Sequence, residues 1–481
     1  MGDIRNQTIY GLKWSALERI SVQGIQFLIG VILARLLPPS DFGVIAMLTI
    51  FLAISQTIID GGFSNALIRK VDRSEADYST VFIFNIIIGV LLCLIVVWAA
   101  PYIAAFYEMP QLSSVMKVLA LTLLFNSFSV VFYAILTINI DFRSIAIANF
   151  VSAIISGVIG IVMAYQGWGV WSLVFQSVSR SVINALLVAV LAKWRPKFFF
   201  SRVSFVEMFS YGSKILISSL INTVYANLTP MIIGKFYTSK DLGYYDRGRQ
   251  FGVLPINYIV QTYERVTFPI MSQLQNDDTR LIDAYRKYIK SASLIMFIVV
   301  MLIIALAKPI ILLILSAKWV EAIIYLQLFC VAEMFNHVTR LNLVLLQVKG
   351  RSDLFLRLEV IKKAISLSML LCAAPFGIIP ICISQILYSQ IAMYINTYYT
   401  RKLFGLSYLM QVKDFSKYLI FAVVACAPAY LMVVFDIPSL LSIIIGSVIA
   451  LALYTKVLLW NDSIFKEMRS VIIAQLPRRR V

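Results

Sequence analysis

Histidine occurs once in this chain of 481 residues, at His337, and cysteine five times, at Cys93, Cys330, Cys372, Cys382 and Cys426. All five cysteines fall within apolar segments and no two form a C-x-x-C pair. They read as packing residues, so neither a disulfide framework nor a metal site is expected. No Walker motif occurs, which leaves an ion gradient, the membrane potential, mass action or a partner protein to energise any transport. Charge is also scarce: Asp, Glu, Lys and Arg make up 14% of the residues against 60% hydrophobic, far from the soluble average. The fold class is therefore an all-α polytopic membrane protein. Residues 1–7 are polar and no compact apolar stretch with a small-residue cleavage site follows. No cleavable signal peptide is expected, and the first apolar segment is read as a span.

What is there in quantity is apolar run. About fourteen spans are expected, near 11–37, 41–62, 79–105, 113–138, 144–165, 169–193, 209–236, 241–262, 291–316, 320–347, 354–375, 378–400, 415–435 and 438–460. Lysine and arginine concentrate on the cytoplasmic side of membrane proteins. If the N-terminus is inside, the inner connections and the tail hold about 27 of them, against about five outside (Arg35, Lys235, Lys240, Lys308, Lys318). Both termini are thus expected in the cytoplasm. Most of the net charge of +18 is then a topology signal and an attraction to lipid headgroups, not a nucleic-acid footprint. The outer connections are short, for example 166–169 and 376–380, and leave no outer domain to hold an active site. No enzyme is expected.

The chain repeats itself. Residues 10–43, YGLKWSALERISVQGIQFLIGVILARLLPPSDFG, return as residues 211–243, YGSKILISSLINTVYANLTPMIIGKFYTSKDLG. In both, Tyr-Gly-x-Lys opens a span with polar residues in its first half. A basic residue (Arg35, Lys235), a short break and Asp-x-Gly (Asp41/Gly43, Asp241/Gly243) follow. At about 28 residues and about 42 Å of rise each copy can cross a bilayer and project beyond it. The second copy begins after six spans, and an even number of crossings makes the halves parallel repeats about an axis along the membrane normal. Weaker echoes come in the same order: Pro101 with Pro309, Phe125-Asn126 with Phe335-Asn336, and Gly167-Trp168-Gly169 with Phe376-Gly377. The expected organisation is a six-helix lobe over 1–202, a second over 203–410, and two peripheral helices with a basic cytoplasmic tail over 411–481. A central cavity is expected between the lobes.

Several separated blocks carry a resemblance: RLLPPSDFGVIAM (35–47), GGFSNALIRK (61–70), STVFIFNIIIGVLL (79–92), APYIAAFYEMPQL (100–112), NIDFRSIAIANFVSAIISGVIGIVMAYQGWGVWSLV (139–174) and DLGYYDRGRQFGVLPINYI (241–259). They closely resemble the Wzx-type polysaccharide flippases that export O-antigen, colanic acid and capsule units. These belong to the MOP superfamily, which also holds the lipid II flippase and the multidrug/toxin extruders. The resemblance covers roughly residues 8–410. It implies fourteen helices in two lobes, alternating access in the bacterial inner membrane, and transfer of an undecaprenyl-diphosphate-linked oligosaccharide to the outer leaflet. The implied partners are that lipid-linked substrate, membrane lipids, and polysaccharide polymerase and chain-length proteins around a monomer. No cofactor is implied.

A diphosphate crossing apolar material calls for a wet cavity lined with cations, because arginine holds phosphate oxygens bidentately. Arg180 lies mid-span with Gln176 and Asn184 on its face at i−4 and i+4. Arg19 stands beside Glu18, with Gln23 and Gln26 continuing a polar stripe. Arg247 and Arg249 fall two turns into the eighth span from its outer end, next to Asp246, and Arg340 shares a face with Glu333 and His337. By similarity to the lipid II flippase, whose cavity arginines lie on the first, second and eighth helices, Arg19, Arg247 and Arg249 occupy matching helices. The second span offers only Gln56 and Asp60. Glu333 with His337 is a candidate ion-coupling site; the plainer reading is a structural Glu333–Arg340 network. Arg19, Lys214, Arg340, Lys362 and Lys363 also lie near enough to helix ends to snorkel as anchors. Arg247 has a plainer reading too, as an ion-pair partner of Asp246 or Asp241.

Other classes fit less well. A multidrug extruder of the same fold, taking cationic drugs, favours acidic cavity residues, whereas basic candidates dominate here. A membrane glycan polymerase or ligase calls for a sizeable outer loop, and a channel for a filter motif.

Overall fold

The structure, a computed structural model, describes residues 21–462 and 464–466, and every regular element among them is a helix. The chain divides between Gly243 and Tyr244 into two compact units.

The first unit opens with α1, described from Ser21 to Leu36. Helix α2 (Pro39–Asp60) starts on a proline, whose missing N–H costs nothing in a first turn, and stops at Gly61 with φ at 44°. Gly62, at φ 71°, restarts the chain as α3 (Phe63–Arg69). Two successive left-handed residues are tolerated here because neither carries a Cβ. A Ser74/Asp77 capping box sets the start of α4 (Glu75–Phe106). Then come α5 (Gln111–Leu119), α6 (Leu121–Ile138), α7 (Phe142–Tyr165), α8 (Val170–Ala192), α9 (Arg202–Phe236) and the first turn of α10 (Ser239–Gln273).

Lipid gives apolar helices no hydrophobic reason to associate, so close approach through small residues does much of the packing. A Cβ on Gly89 of α4 would lie 2.2 Å from Ser127 Oγ of α6, and one on Gly160 of α7 would lie 3.0 Å from Gln176 Cβ of α8. Phe63, Leu67, Phe82, Val131, Phe132 and Met208 form a buried cluster joining α3, α4, α6 and α9. Polar contacts fasten α9 further. The Thr57 and Thr223 hydroxyls lie 2.9 Å apart, the Arg69 guanidinium sits 4.5 Å over the Tyr211 ring, and Lys70 bridges Asp77 at 3.0 Å and Glu207 at 2.9 Å. The helix that carries the second copy of the repeat therefore packs in the same unit as α2.

The two Asp-x-Gly motifs meet face to face. A Cβ on Gly43 would lie 1.7 Å from the Ser239 carbonyl oxygen, and one on Gly243 would lie 2.0 Å from the Pro39 carbonyl oxygen. Each glycine admits the opposite backbone, a reciprocal crossing that a side chain at either position would force apart.

In the second unit α10 runs on to Gln273. It is followed by α11 (Asp278–Ala305), α12 (Ala307–Ile314), α13 (Ala322–Glu333), α14 (Asn336–Val348), α15 (Ser352–Ala373), α16 (Ile378–Phe404), α17 (Tyr408–Val434) and α18 (Ser439–Asn461). Helix α17 is clamped to α11: Arg286 Nε and Nη2 each reach Asp414 at 2.8 Å, and Lys290 reaches the same carboxylate at 3.2 Å. Beside it, buried Asn342 accepts from Tyr285 and Thr400 at 2.9 Å each and donates to Gln411 at 2.9 Å. With every member bonded, such a network fixes one arrangement of helices in a medium that offers no water.

Eleven helical stretches among the described residues are long and apolar enough to cross a membrane. The other three of the fourteen expected spans fall on α1, described only from Ser21, and on α10 and α15, whose charges interrupt the apolar window. Several helices outrun their apolar segments. Capping side chains at Ser74, Ser201 and Asp277 start α4, α9 and α11 in polar sequence ahead of the lipid-length stretch. Cys93, Cys330, Cys382 and Cys426 are buried and Cys372 is exposed. No cluster of three His, Cys, Asp or Glu side chains that could hold a metal ion occurs among the described residues.

Candidate functional site

A cavity of about 720 Å³ lies within the first unit, walled by α2, α3, α6, α7, α8 and α9. That size encloses a drug-sized ligand or larger. Its wall is polar but almost uncharged: Gln56, Asn65, Asn126, Asn149 and Asn184 supply amides, while Thr57, Ser129, Tyr133, Ser181 and Ser219 supply hydroxyls. Among the described residues lining it, only Arg180 and Asp60 bring charge.

Two hydrogen-bonded groups organise this wall. Asn126 Nδ2 donates to Gln56 Oε1 at 2.8 Å, and Gln56 Nε2 donates to Asp60 Oδ1 at 3.0 Å, tying α6 to the end of α2. Deeper along α8, the Tyr133 hydroxyl lies 2.7 Å from Asn149 Oδ1 and 2.9 Å from Asn184 Oδ1, while Asn184 Nδ2 donates to Asn149 Oδ1 at 2.9 Å.

Arg180 is half-buried one turn before Asn184. With the Gln26 amide turned so that its oxygen faces the guanidinium, Arg180 Nη1 donates to it at 2.8 Å and Nη2 donates to it as well. The first-span polar stripe and the sixth-span arginine thus meet through a neutral acceptor. No carboxylate of the described residues forms an ion pair with Arg180, which lines a partly desolvated cavity.

The second unit treats charge differently. Glu333, at the break between α13 and α14, accepts from Asn336 Nδ2 at 2.9 Å and stands in the field of both Arg249 and Arg340. Arg340 Nε lies 3.9 Å from Glu264 Oε1. Lys362 Nζ lies 2.5 Å from Glu359 Oε1 and also feels Arg340. Arg247 donates to Gln250. His337 is buried, with Nε2 2.7 Å from Ser293 Oγ and its ring edge-on to Phe297 at 5.4 Å. The structure therefore brings Arg249, Glu333 and Arg340 into one electrostatic group, and gives His337 a different partner. Arg19 lies outside the described residues.

Between the spans, Lys235 donates to Glu108 at 2.9 Å and Lys308 to Asp436 at 2.6 Å. The lysine hydrogen bond holds each carboxyl below its ordinary range.

Tyr133 and Asn149 were not picked out from the sequence. One signal was available: Asn149, Ser152 and Ser156 recur at i, i+3 and i+7 along otherwise apolar α7, a polar stripe one helix face wide.

The profile of a family described as "Polysaccharide biosynthesis protein" matches residues 32–324. The teichuronic acid biosynthesis protein TuaB of Bacillus subtilis (strain 168) is 26% identical over 356 residues, 74% of each chain. The lipopolysaccharide biosynthesis protein WzxC of Escherichia coli (strain K12) is 24% identical over 362 residues, 75% of this chain and 73% of the relative. Among solved structures, the lipid II flippase MurJ in an inward closed conformation superposes with a TM-score of 0.74 at 13% identity, covering 94% of this chain and 99% of that one. The last comparison shows a shared fold.

Proposed function

We propose, from the premise that this chain belongs to the polysaccharide biosynthesis protein family, that it is a flippase. It moves an undecaprenyl-diphosphate-linked oligosaccharide from the inner to the outer leaflet of the bacterial cytoplasmic membrane by alternating access. The observation that carries this reading is Arg180: a guanidinium held by Gln26, with no ion pair to a carboxylate of the described residues, in a cavity lined mostly by amides and hydroxyls. An anion-bearing saccharide needs that combination, whereas a cationic drug needs the opposite sign. The relatives are named for the biosynthesis of teichuronic acid and lipopolysaccharide, both carbohydrate polymers, and the structural neighbour is named a lipid II flippase. Two six-helix lobes over 1–202 and 203–410, fourteen crossings and cytoplasmic termini complete the reading. Arg19, Arg247, Arg249 and Arg340 serve as further cations along the path.

Depletion of the protein tests the function directly. Lipid-linked oligosaccharide is expected to accumulate with its glycan protected from reagents added outside intact spheroplasts. Undiminished delivery of the glycan to the outer leaflet after complete depletion would overturn the reading.

A further inference from the structure

The connection from α8 to α9, residues 193–201, has no regular structure, yet both its ends are fixed. At one end the Trp194 ring packs against Tyr78, Phe82 and Phe132 at 6.1, 5.8 and 5.7 Å, and its Nε1 donates to Glu75 at 3.3 Å. At the other the Ser201 N–H donates to Thr80 Oγ1 at 2.9 Å, while the Ser201 hydroxyl starts α9 by accepting from the Ser204 N–H. Pinned at both ends to the start of α4, the chain between bows outward. Phe198 is 92% exposed, Phe199 59% and Phe200 48%. Val203 and Val206, exposed one turn apart on α9, extend the same apolar surface. Three consecutive phenylalanines outside the fold are costly in water, and a built apolar patch of this kind marks a surface that something covers.

Its flanks are basic. Arg195, Lys197 and Arg202 are exposed; Lys197 meets Glu75 at 3.9 Å, and neither arginine forms an ion pair with a described residue. Depth decides what meets this surface. Helix α8 has 23 residues, about 34 Å of rise, close to the roughly 30 Å of a bilayer's hydrocarbon core. Its end at Ala192 falls at the edge of that core, so residues 195–202 follow at headgroup level, where an aromatic ring reaches acyl chains while a guanidinium meets phosphate. We propose that residues 195–203 are a membrane-inserted strap that binds anionic lipid, with Phe198 and Phe199 among the acyl chains and Arg195 and Arg202 on the headgroups. The occupant is lipid of the adjoining leaflet, which the proposed orientation makes the inner one. Two arginines without a neighbouring carboxylate favour a headgroup of net negative charge over a zwitterionic one. The strap acts on lipid and not on cargo, and so goes beyond the flippase reading.

The test uses the full chain with its native cysteines replaced and Phe199→Cys carrying an environment-sensitive fluorophore. It is placed in nanodiscs of phosphatidylcholine that contain, at equal mole fraction, either phosphatidylglycerol or phosphatidylcholine spin-labelled high on the acyl chain. Acrylamide in the water is the opposing quencher. The probe is expected to be shielded from acrylamide and quenched by the lipid labels, more by phosphatidylglycerol than by phosphatidylcholine by about twofold or more. Arg195→Gln combined with Arg202→Gln is expected to bring the two lipids level. Acrylamide quenching as strong as that of the free dye overturns insertion. So does shielding without quenching by either lipid, because that marks cover by another segment of this chain or by a second copy. Equal quenching by the two lipids with both arginines present, or a preference that survives the double arginine variant, overturns the anionic-lipid site. None of these readouts involves export, so their failure leaves the flippase reading standing, and failure of that reading leaves the strap.

Discussion

The cavity wall of the first unit and the charged cluster of the second handle polar groups in a membrane differently. The first gathers amides and hydroxyls around a cavity and leaves Arg180 on a neutral acceptor, Gln26. The second gathers charges into pairs: Arg340 has Glu264, Lys362 has Glu359, Arg286 and Lys290 have Asp414, and Glu333 lies in the field of two arginines. A compensated charge locks helices together and has little left for a ligand, whereas an uncompensated one keeps its attraction for whatever enters. On the reading proposed above, the paired charges belong to the scaffold and Arg180 to the site.

The comparison is broken most severely where the two copies of the repeat touch. With native cysteines replaced, cysteines at Ser40 and Ser239, joined across the Gly43/Gly243 crossing, are expected to stop export completely if those helix ends separate in each cycle. Wild-type export from a fully cross-linked population, measured on the polymer delivered to the cell surface, would exclude rocking at this point.

Gln26→Glu converts the first unit to the design of the second. The substitution is isosteric and sets a carboxylate against both η nitrogens of Arg180. Export is expected to fall by about tenfold or more, since a charge-assisted contact is worth about 1.5–3 kcal/mol. Membrane abundance should hold or rise. Unimpaired export would mean that Arg180 need not be available to a ligand.

Arg340→Gln is expected to do less. Its pair with Glu264 is long, at 3.9 Å, and the arginine side chain is 53% exposed, so the interaction is worth about 1 kcal/mol or less. Export per molecule should drop by less than about fivefold. A loss as large as that of an Arg180 variant would erase the distinction between the units.

The smallest effect is one of pH. Glu108 and Asp436 have their carboxyls lowered by hydrogen bonds from Lys235 and Lys308, so their contribution is complete above the ordinary carboxyl pKa and is lost as pH falls through the lowered one. The thermal midpoint should decline slightly below about pH 4, where free carboxyls begin to protonate. Glu108→Gln combined with Asp436→Asn should flatten that part of the curve, and an unchanged slope would show that these exposed pairs are silent.

Much of this was legible in one dimension. Apolar run length placed the helices, and mid-span position singled out Arg180, because a guanidinium there has no easy route to the interface. The polar stripe through Gln26 was visible as well. Three things were not. A sequence repeat records equivalent segments without saying which neighbours they pack on, so the placement of α9 beside α2 had to come from contacts such as Thr57 with Thr223 and Gly62 with Gly212. Tyr133 and Asn149 carry ordinary polar side chains, and only tertiary packing brings them to Asn184. His337 packs on Ser293 and Phe297, partners that spacing along one helix cannot name.

The most direct test of the central claim is export of the glycan by Arg180→Gln, Arg180→Lys and Arg180→Glu variants, normalised to protein in the membrane. If the lone guanidinium holds the anionic part of the cargo, Gln loses roughly 10- to 150-fold, Lys restores part of it by returning charge without the planar fork, and Glu abolishes export, all at wild-type abundance. Wild-type export by the Gln and Glu variants, or losses that track protein level alone, would contradict it.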